Sequence, residues 1–229
     1  MRATAALVAS AAGLVVSSLA SAALPAGYGF QVLARTNLNG SNNWNVPAGS
    51  VITEATPDLN NQRQVVTRVL VSGAAGRAAI WSSVQNNTVY TSPENVGLSD
   101  PSLNDAGTAV FSTNGLSPEQ LRFHNVNTAD AGIVTGGFVG TNVFGSPRIN
   151  DSGQVSYRTN SGSNGALDTY SPTGTSLVRH AVTSNIDPVN GYPFLFTPSI
   201  NDSRQVAMKV QSGSATNTDQ LRLFGADGT

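Results

Sequence analysis

An all-β fold of repeated, propeller-type blades is what the 229-residue sequence predicts, and three observations predict it. A short motif, Pro-x-Leu/Ile-Asn-Asp/Asn, occurs four times. Its prolines, Pro57, Pro101, Pro147 and Pro198, stand 44, 46 and 51 residues apart. Each copy is followed by a turn and a run that alternates apolar and polar residues. A period of this length belongs either to propeller blades or to helical arrays, and alternation by two selects strands over helices.

The motif copies are Thr56-Pro57-Asp58-Leu59-Asn60-Asn61, Asp100-Pro101-Ser102-Leu103-Asn104-Asp105, Ser146-Pro147-Arg148-Ile149-Asn150-Asp151 and Thr197-Pro198-Ser199-Ile200-Asn201-Asp202. Proline fixes φ and donates no hydrogen bond, Leu or Ile enters the core, and Asn with Asp or Asn turns the chain. Gly107 and Gly153 follow as turn glycines, but Arg63 and Arg204 hold that place in the other two copies. Those two turns are expected to avoid positive φ at the arginine or to be strained.

The alternating runs are Gln64 to Val69, Thr108 to Ser112, Gln154 to Thr159 and Gln205 to Val210, read as half-buried strands. A second apolar cluster follows at Ile80-Trp81, Leu121 to Phe123, Leu167 to Tyr170 and Leu221 to Phe224. A third β-prone stretch follows at Thr88-Val89-Tyr90, Gly132-Ile133-Val134 and Ser176-Leu177-Val178, and the segment before the next proline is free for a fourth strand. Blade repeats are therefore expected at 57–100, 101–146 and 147–197. Residues 198–224 resemble the head of a blade and 27–56 the tail of one, so the two are expected to form a composite blade. That gives about four blades, as a closed four-bladed ring or as a fragment of a larger array.

The first residues read as a secretory leader: Met1-Arg2, an apolar stretch from Ala5 to Ala20, and a small-residue cleavage site at Ala20-Ser21-Ala22. The stretch falls short of the roughly 20 residues a membrane helix needs. Signal peptide 1–22 and a single repeat domain 23–229 are the expected organisation, with the chain secreted or at the cell surface and no membrane span after cleavage. With Arg2 removed, 11 basic side chains face 13 acidic ones, which excludes general attraction to nucleic acid. The absence of cysteine excludes thiol chemistry and Cys-based metal sites.

The fuller pattern Pro-x-Ile/Leu-Asn-Asp-x-Gly-x-Val/Ala-x-Phe/Tyr is carried best by Asn104-Asp105, Gly107 and Phe111 and by Asn150-Asp151, Gly153 and Tyr157. It resembles the tandem repeats of secreted bacterial proteins of the choice-of-anchor and HAF-like extracellular type, loosely over residues 57 to 224. The resemblance implies β-propellers exported to the cell surface, mostly without an assigned activity. Arg63 and Arg204 depart from it, and the C-terminal residues show no sorting signal.

Candidate chemistry is sparse. Eight residues after the motif Asn stand Arg68, Arg158 and Lys209, with Ser112 in the remaining repeat. If that strand lines the channel, the three form a basic ring able to hold an acidic sugar or another anion; otherwise they keep a strand face solvated. Tyr157, Tyr170, Arg179 and His180 share one repeat and have the residue types of a polysaccharide lyase, in which His or Tyr abstracts a proton beside a uronate. The Asn-Asp pairs invite calcium, but each turn offers two adjacent side chains where calcium takes six to eight oxygens, so a structural turn is preferred and no metal or other cofactor is expected. The function expected is that of an extracellular scaffold or interaction module with a glycan or protein partner and no evident catalysis. A carbohydrate- or anion-binding propeller is the alternative, and a lyase the third reading.

Overall fold

The computed structural model describes residues 31–35, 45–47, 49–52, 55–71, 77–116, 119–128, 133–135, 142–161, 164–170, 177–182, 194–211 and 219–226. Two compact units are present, Met1–Val32 and Leu33–Thr229. Of the first, Gln31 and Val32 alone are described, and both are exposed. The leader expected at 1–22 lies outside the described residues. Among those described there is no helix, and so none long and apolar enough to cross a membrane.

The second unit is all-β: four antiparallel sheets in chain order. The first holds β1 (Val51–Ile52), β2 (Asp58–Leu59), β3 (Val65–Leu70), β4 (Ala78–Ser82) and β5 (Asn87–Thr91). The second holds β6 (Gly97–Leu98), β7 (Ser102–Leu103), β8 (Thr108–Asn114), β9 (Gln120–Asn125) and β10 (Ile133–Thr135). The third is β11 (Asn142–Ile149), β12 (Val155–Ser161), β13 (Asn164–Tyr170) and β14 (Leu177–Val182). The fourth is β15 (Phe194–Leu195), β16 (Ser199–Ile200), β17 (Val206–Gln211) and β18 (Asp219–Phe224). Each sheet meanders from one first strand outward, the architecture of a propeller blade.

The phase differs from the expected repeats. The segment before each proline opens the sheet of its own motif: β6 pairs with β8, not with β5. Likewise Val51 and Ile52 face Leu70 and Val69 of β3, so they open the first sheet instead of completing a blade with 198–224. The blades are therefore 51–91, 97–135, 142–182 and 194–224. Proline explains why this was hidden. Having no N–H, it breaks the first strand into two short pieces in three blades, and in the third it sits at a register shift within β11 between Phe144 and Arg148. In the second blade Ser99 patches the break: its N–H donates to the Ser112 oxygen (3.0 Å) and its Oγ accepts from the Ser112 N–H (2.9 Å).

The turn after the motif has one geometry throughout. The N–H of the fourth residue donates to the Asn oxygen (Arg63, Gly107, Gly153 and Arg204 to Asn60, Asn104, Asn150 and Asn201, 2.9–3.0 Å). The Asn Oδ1 accepts the next N–H, from Gln64, Thr108, Gln154 or Gln205, at 2.8–2.9 Å. This is a three-residue hairpin whose last position is left-handed. Gly107 and Gly153 meet that demand at φ 79° and 77°, and Arg63 and Arg204 adopt it at 60°. Of the two outcomes expected there, avoidance of positive φ is ruled out and strain is what occurs.

Burial corrects a second expectation. The alternating runs are half-buried only where a blade face has no neighbour. Every residue of β4 is buried, as are Ala109 to Thr113 of β8, because the sheets pack face to face. One core joins the first and second blades through Val66, Ile80, Leu98, Leu103 and Phe111. Another joins the second and third through Val110, Leu121, Phe123, Ile149, Val155 and Tyr157. Burying each such side chain contributes about 1.5–3 kcal/mol. In the fourth blade β17 alternates, with Val206, Met208 and Val210 buried and Lys209 exposed.

Candidate functional site

The motif's proline and Asn have structural work, and the residue after proline, which varies in chemical class, has a different placement. That position carries Asp58, Ser102, Arg148 and Ser199. The structure brings these four together. With Thr56, Pro57, Leu103, Ile149 and Ile200 they line one pocket of about 310 Å³, to which the first strands of all four blades contribute. The repeat thus brings one side chain of varied chemistry from the first strand of each blade to one pocket.

Two of the four also join neighbouring first strands. The Asp58 Oδ2 accepts the Leu103 N–H at 2.7 Å and its Oδ1 accepts the N–H of Leu59 at 3.1 Å. The Ser102 Oγ accepts the Ile149 N–H at 3.4 Å. These bonds fix the carboxylate and the hydroxyl against rigid backbone. Among the described residues Arg148 forms no ion pair or side-chain hydrogen bond, so its guanidinium donors are available to a ligand. A pocket with an anion and a cation on separate strands, hydroxyls from Thr56, Ser102 and Ser199, and aliphatic walls suits a small polyhydroxylated ligand that carries a negative group.

The basic positions expected to ring the channel lie elsewhere. Arg68, Arg158 and Lys209, with Ser112, occupy the second strands β3, β12, β17 and β8. Arg68 Nη1 donates to the backbone oxygen of Leu98, in the first strand of the next blade, at 2.8 Å, and its Nη2 lies 3.4 Å from the Asp100 carboxylate. Arg158 Nη1 donates to the matching oxygen of Leu195. Burial lowers the pKa of Arg158 from the ordinary arginine value. Ser112 Oγ donates to the Gly145 oxygen at 3.1 Å. What these residues share is a reach from one blade to the next. Lys209 stays within its own blade, 2.8 Å from Asp219 and 4.5 Å from the centre of the Phe196 ring.

Tyr157 is fully buried between the second and third blades, so its ring packs rather than faces a substrate. The backbones of Tyr170 and Arg179 pair with Val155 and Asp168. His180 is the extra residue at a bulge opposite Leu167 and Asp168, a place held by Val89 in the first blade. Of these three, backbone pairing alone is described. Among the described residues no group of three His, Asp or Glu side chains is placed to hold a metal ion.

The Asn-Asp turns have a use that sequence reading missed. Asn60, Asn104 and Asn150 each donate from Nδ2 to the backbone oxygen of the next blade's Asn, at 2.9, 3.2 and 2.9 Å. In parallel the N–H groups of Asn61, Asp105 and Asp151 donate to Oδ1 of Asp105, Asp151 and Asp202, each at 2.8 Å. The four turns thus form a directional ladder in which each blade donates and the following blade accepts.

No family model matches the chain, and no curated protein does. Solved structures similar to it include a calcium-binding protein, regucalcin, from Agrobacterium tumefaciens, at 11% identity and TM-score 0.46, over 75% of this chain and 61% of that one. A luciferin-regenerating enzyme matches at 10% identity and TM-score 0.40, over 75% of each chain. The lectin of Aleuria aurantia in complex with α-methyl-L-fucoside matches at 10% identity and TM-score 0.40, over 72% of this chain and 57% of that one. The chain spans about three fifths of the regucalcin and the lectin. Likenesses this distant carry nothing about what the chain binds.

Proposed function

We propose that the chain is an exported binding module whose central pocket takes an acidic sugar unit, and that it has no catalytic role. The observation that carries this reading is the convergence of the residue after proline in each of the four copies, Asp58, Ser102, Arg148 and Ser199, on a single pocket. Arg148 offers the fork of donors that suits a carboxylate, while Asp58 and the hydroxyls of Ser102, Ser199 and Thr56 suit sugar hydroxyls.

Export to the surface or the medium is supported by the leader-like Met1 to Ala22 and by the resemblance of the repeats to secreted bacterial proteins. A glycan is then the partner, with neither nucleic acid nor a metal cofactor involved. Calorimetry with uronic-acid oligosaccharides tests the reading, with the matching neutral oligosaccharides as control. Binding of the acidic series is expected, weakened at least about tenfold by Arg148→Ala, a loss of about 1.4 kcal/mol. Equal binding of both series, or indifference to Arg148, sinks it.

A further inference from the structure

One hydrogen-bonding rule runs along the first strands, and one junction breaks it. In each motif turn the N–H of Asn60, Asn104, Asn150 or Asn201 donates to the oxygen of Gln64, Thr108, Gln154 or Gln205, at 3.0–3.2 Å. The residue before that Asn, which is Leu59, Leu103, Ile149 or Ile200, pairs with Val65, Ala109, Val155 or Val206. Bonded and non-bonded pairs alternate along an antiparallel ladder. These four residues therefore turn their N–H groups away from their own sheets, and three of them, Leu103, Ile149 and Ile200, line the pocket.

The residue after proline receives those N–H groups from the following blade. Asp58 Oδ2 accepts the Leu103 N–H at 2.7 Å, and its Oδ1 accepts the N–H of Leu59 at 3.1 Å. Ser102 Oγ accepts the Ile149 N–H at 3.4 Å. By the same step the counterpart of Ile200 is Arg148, and the strands that carry them, β16 and β11, are in contact. A guanidinium has donors and no acceptor. Among the described residues the Ile200 N–H accordingly donates to nothing, and Arg148 has no ion pair or side-chain hydrogen bond. The third junction thus sets two donors, one of them charged, where the first and second set a donor against an acceptor. A main-chain N–H held away from its own sheet calls for an acceptor, and this chain supplies none there.

We propose that the third junction is the anion subsite of the pocket, where a ligand carboxylate bridges the Arg148 guanidinium and the Ile200 N–H and so supplies the acceptor that Asp58 and Ser102 supply at the junctions before it. This rests on the reading of the pocket as a ligand site. One carboxylate oxygen takes the N–H, as Asp58 Oδ2 takes that of Leu103, and the other takes the guanidinium as a charge-assisted bond. Charge selects a carboxylate over a dianion such as a phosphate monoester. The pocket lining holds one cation, Arg148, and one anion, Asp58, so a second negative charge on the ligand has no counterpart. Asp58 itself is held at the first junction by two N–H groups, away from the subsite.

The Ile200 amide proton reports the subsite directly. In amide NMR spectra of the unmodified full chain, titration with glucuronate is expected to move the Ile200 resonance downfield, whereas glucose and glucose phosphate leave it in place. Arg148→Ala is expected to weaken the glucuronate response at least about tenfold in Kd. Arg148→Asp copies at the third junction the acceptor that the first junction has in Asp58. Its Ile200 resonance is expected to lie downfield with no probe added and to ignore glucuronate, and its thermal midpoint is expected to exceed that of Arg148→Ala. Glucuronate binding that depends on Arg148 but leaves the Ile200 amide unmoved overturns the subsite while the acidic-sugar reading stands. A response of Ile200 to acetate without one to glucuronate does the reverse: the subsite holds and the sugar reading falls. An Ile200 resonance that no carboxylate moves, or that glucose phosphate moves as far as glucuronate does, overturns the proposal in the unmodified chain, whatever becomes of the variants. An Arg148→Asp chain no more stable than Arg148→Ala counts against a missing acceptor at this junction.

Discussion

Asn104 donates from its Nδ2 to the backbone oxygen of Asn150, 46 residues later and one blade away, while its Oδ1 holds the Thr108 N–H. One buried side chain therefore fixes a turn and a junction together. Asn104→Ala leaves the Thr108 N–H without its partner and takes one of two donors from the Asn150 oxygen, which keeps the Gly153 N–H, and is expected to cost about 2–3 kcal/mol in urea unfolding. Asn201→Ala breaks the corresponding turn bond at an exposed site where, among the described residues, its Nδ2 bonds only within its own turn, and its expected cost is about 1 kcal/mol or less. Similar losses at both sites would mean that the ladder adds nothing beyond the turns.

Arg63 and Arg204 occupy left-handed backbone at φ 60°. That conformation costs a residue with a Cβ about 1–2 kcal/mol, and glycine gives back part of the gain through its freer unfolded chain. Arg63→Gly is therefore expected to stabilise the fold by up to about 1 kcal/mol, read as a rise in the denaturation midpoint. The reverse change is not symmetric. A Cβ on Gly107 would stand 2.2 Å from Asn127 Nδ2, which bonds the Ala106 oxygen, while Asn127 Oδ1 accepts from Gln64. Gly107→Arg is expected to destabilise by more than Arg63→Gly stabilises.

The blade was legible in the sequence because its determinants are local. Alternation, a proline and an Asx turn recur at a fixed interval, and each acts within a few residues. The strand that opens each blade was not legible, since proline cuts it to pieces as short as Val51–Ile52 and Asp58–Leu59, too short for any periodicity. The basic position was read as regular, with a channel ring or a solvated strand face as the alternatives, and neither contains the reach of Arg68 and Arg158 to the next blade. Which neighbour Arg68 touches depends on how blades pack, and no spacing within one blade contains that. The pocket did leave a trace: the position after proline changes chemical class from copy to copy, as Asp58, Ser102, Arg148 and Ser199.

Arg158 and Lys209 share a repeat position and differ in what they hold. Arg158 is half-buried and donates across a junction to Leu195, whereas Lys209 forms an exposed pair with Asp219. Arg158→Ala is expected to cost about 2–3 kcal/mol, since a charge-assisted bond to a carbonyl is lost between blades. Lys209→Ala is expected to cost less than about 1 kcal/mol, in keeping with a surface ion pair. Arg158→Lys is expected to recover little, because an ammonium on a shorter donor geometry replaces a planar fork. Thermal unfolding of the three variants decides the matter, and equal effects at 158 and 209 would exclude the junction role.

Glu119 supplies the pH test. Burial raises its carboxyl pKa above the ordinary value, and a backbone hydrogen bond from Gly115 opposes the shift only in part. The folded chain thus keeps this proton at pH values where the unfolded chain has lost it, so the contribution of Glu119 to stability falls as pH rises through the shifted value. Above that window the native state carries the full cost of a half-buried carboxylate. Glu119→Gln keeps an acceptor for the Gly115 N–H and removes the charge. It is expected to be more stable than the unmodified chain at neutral pH, with the difference shrinking to nothing once the pH falls below the ordinary carboxylate range, where both side chains are neutral. Midpoints measured across that range check the sign: a variant less stable at neutral pH would mean that Glu119 is held by attraction rather than penalised by burial.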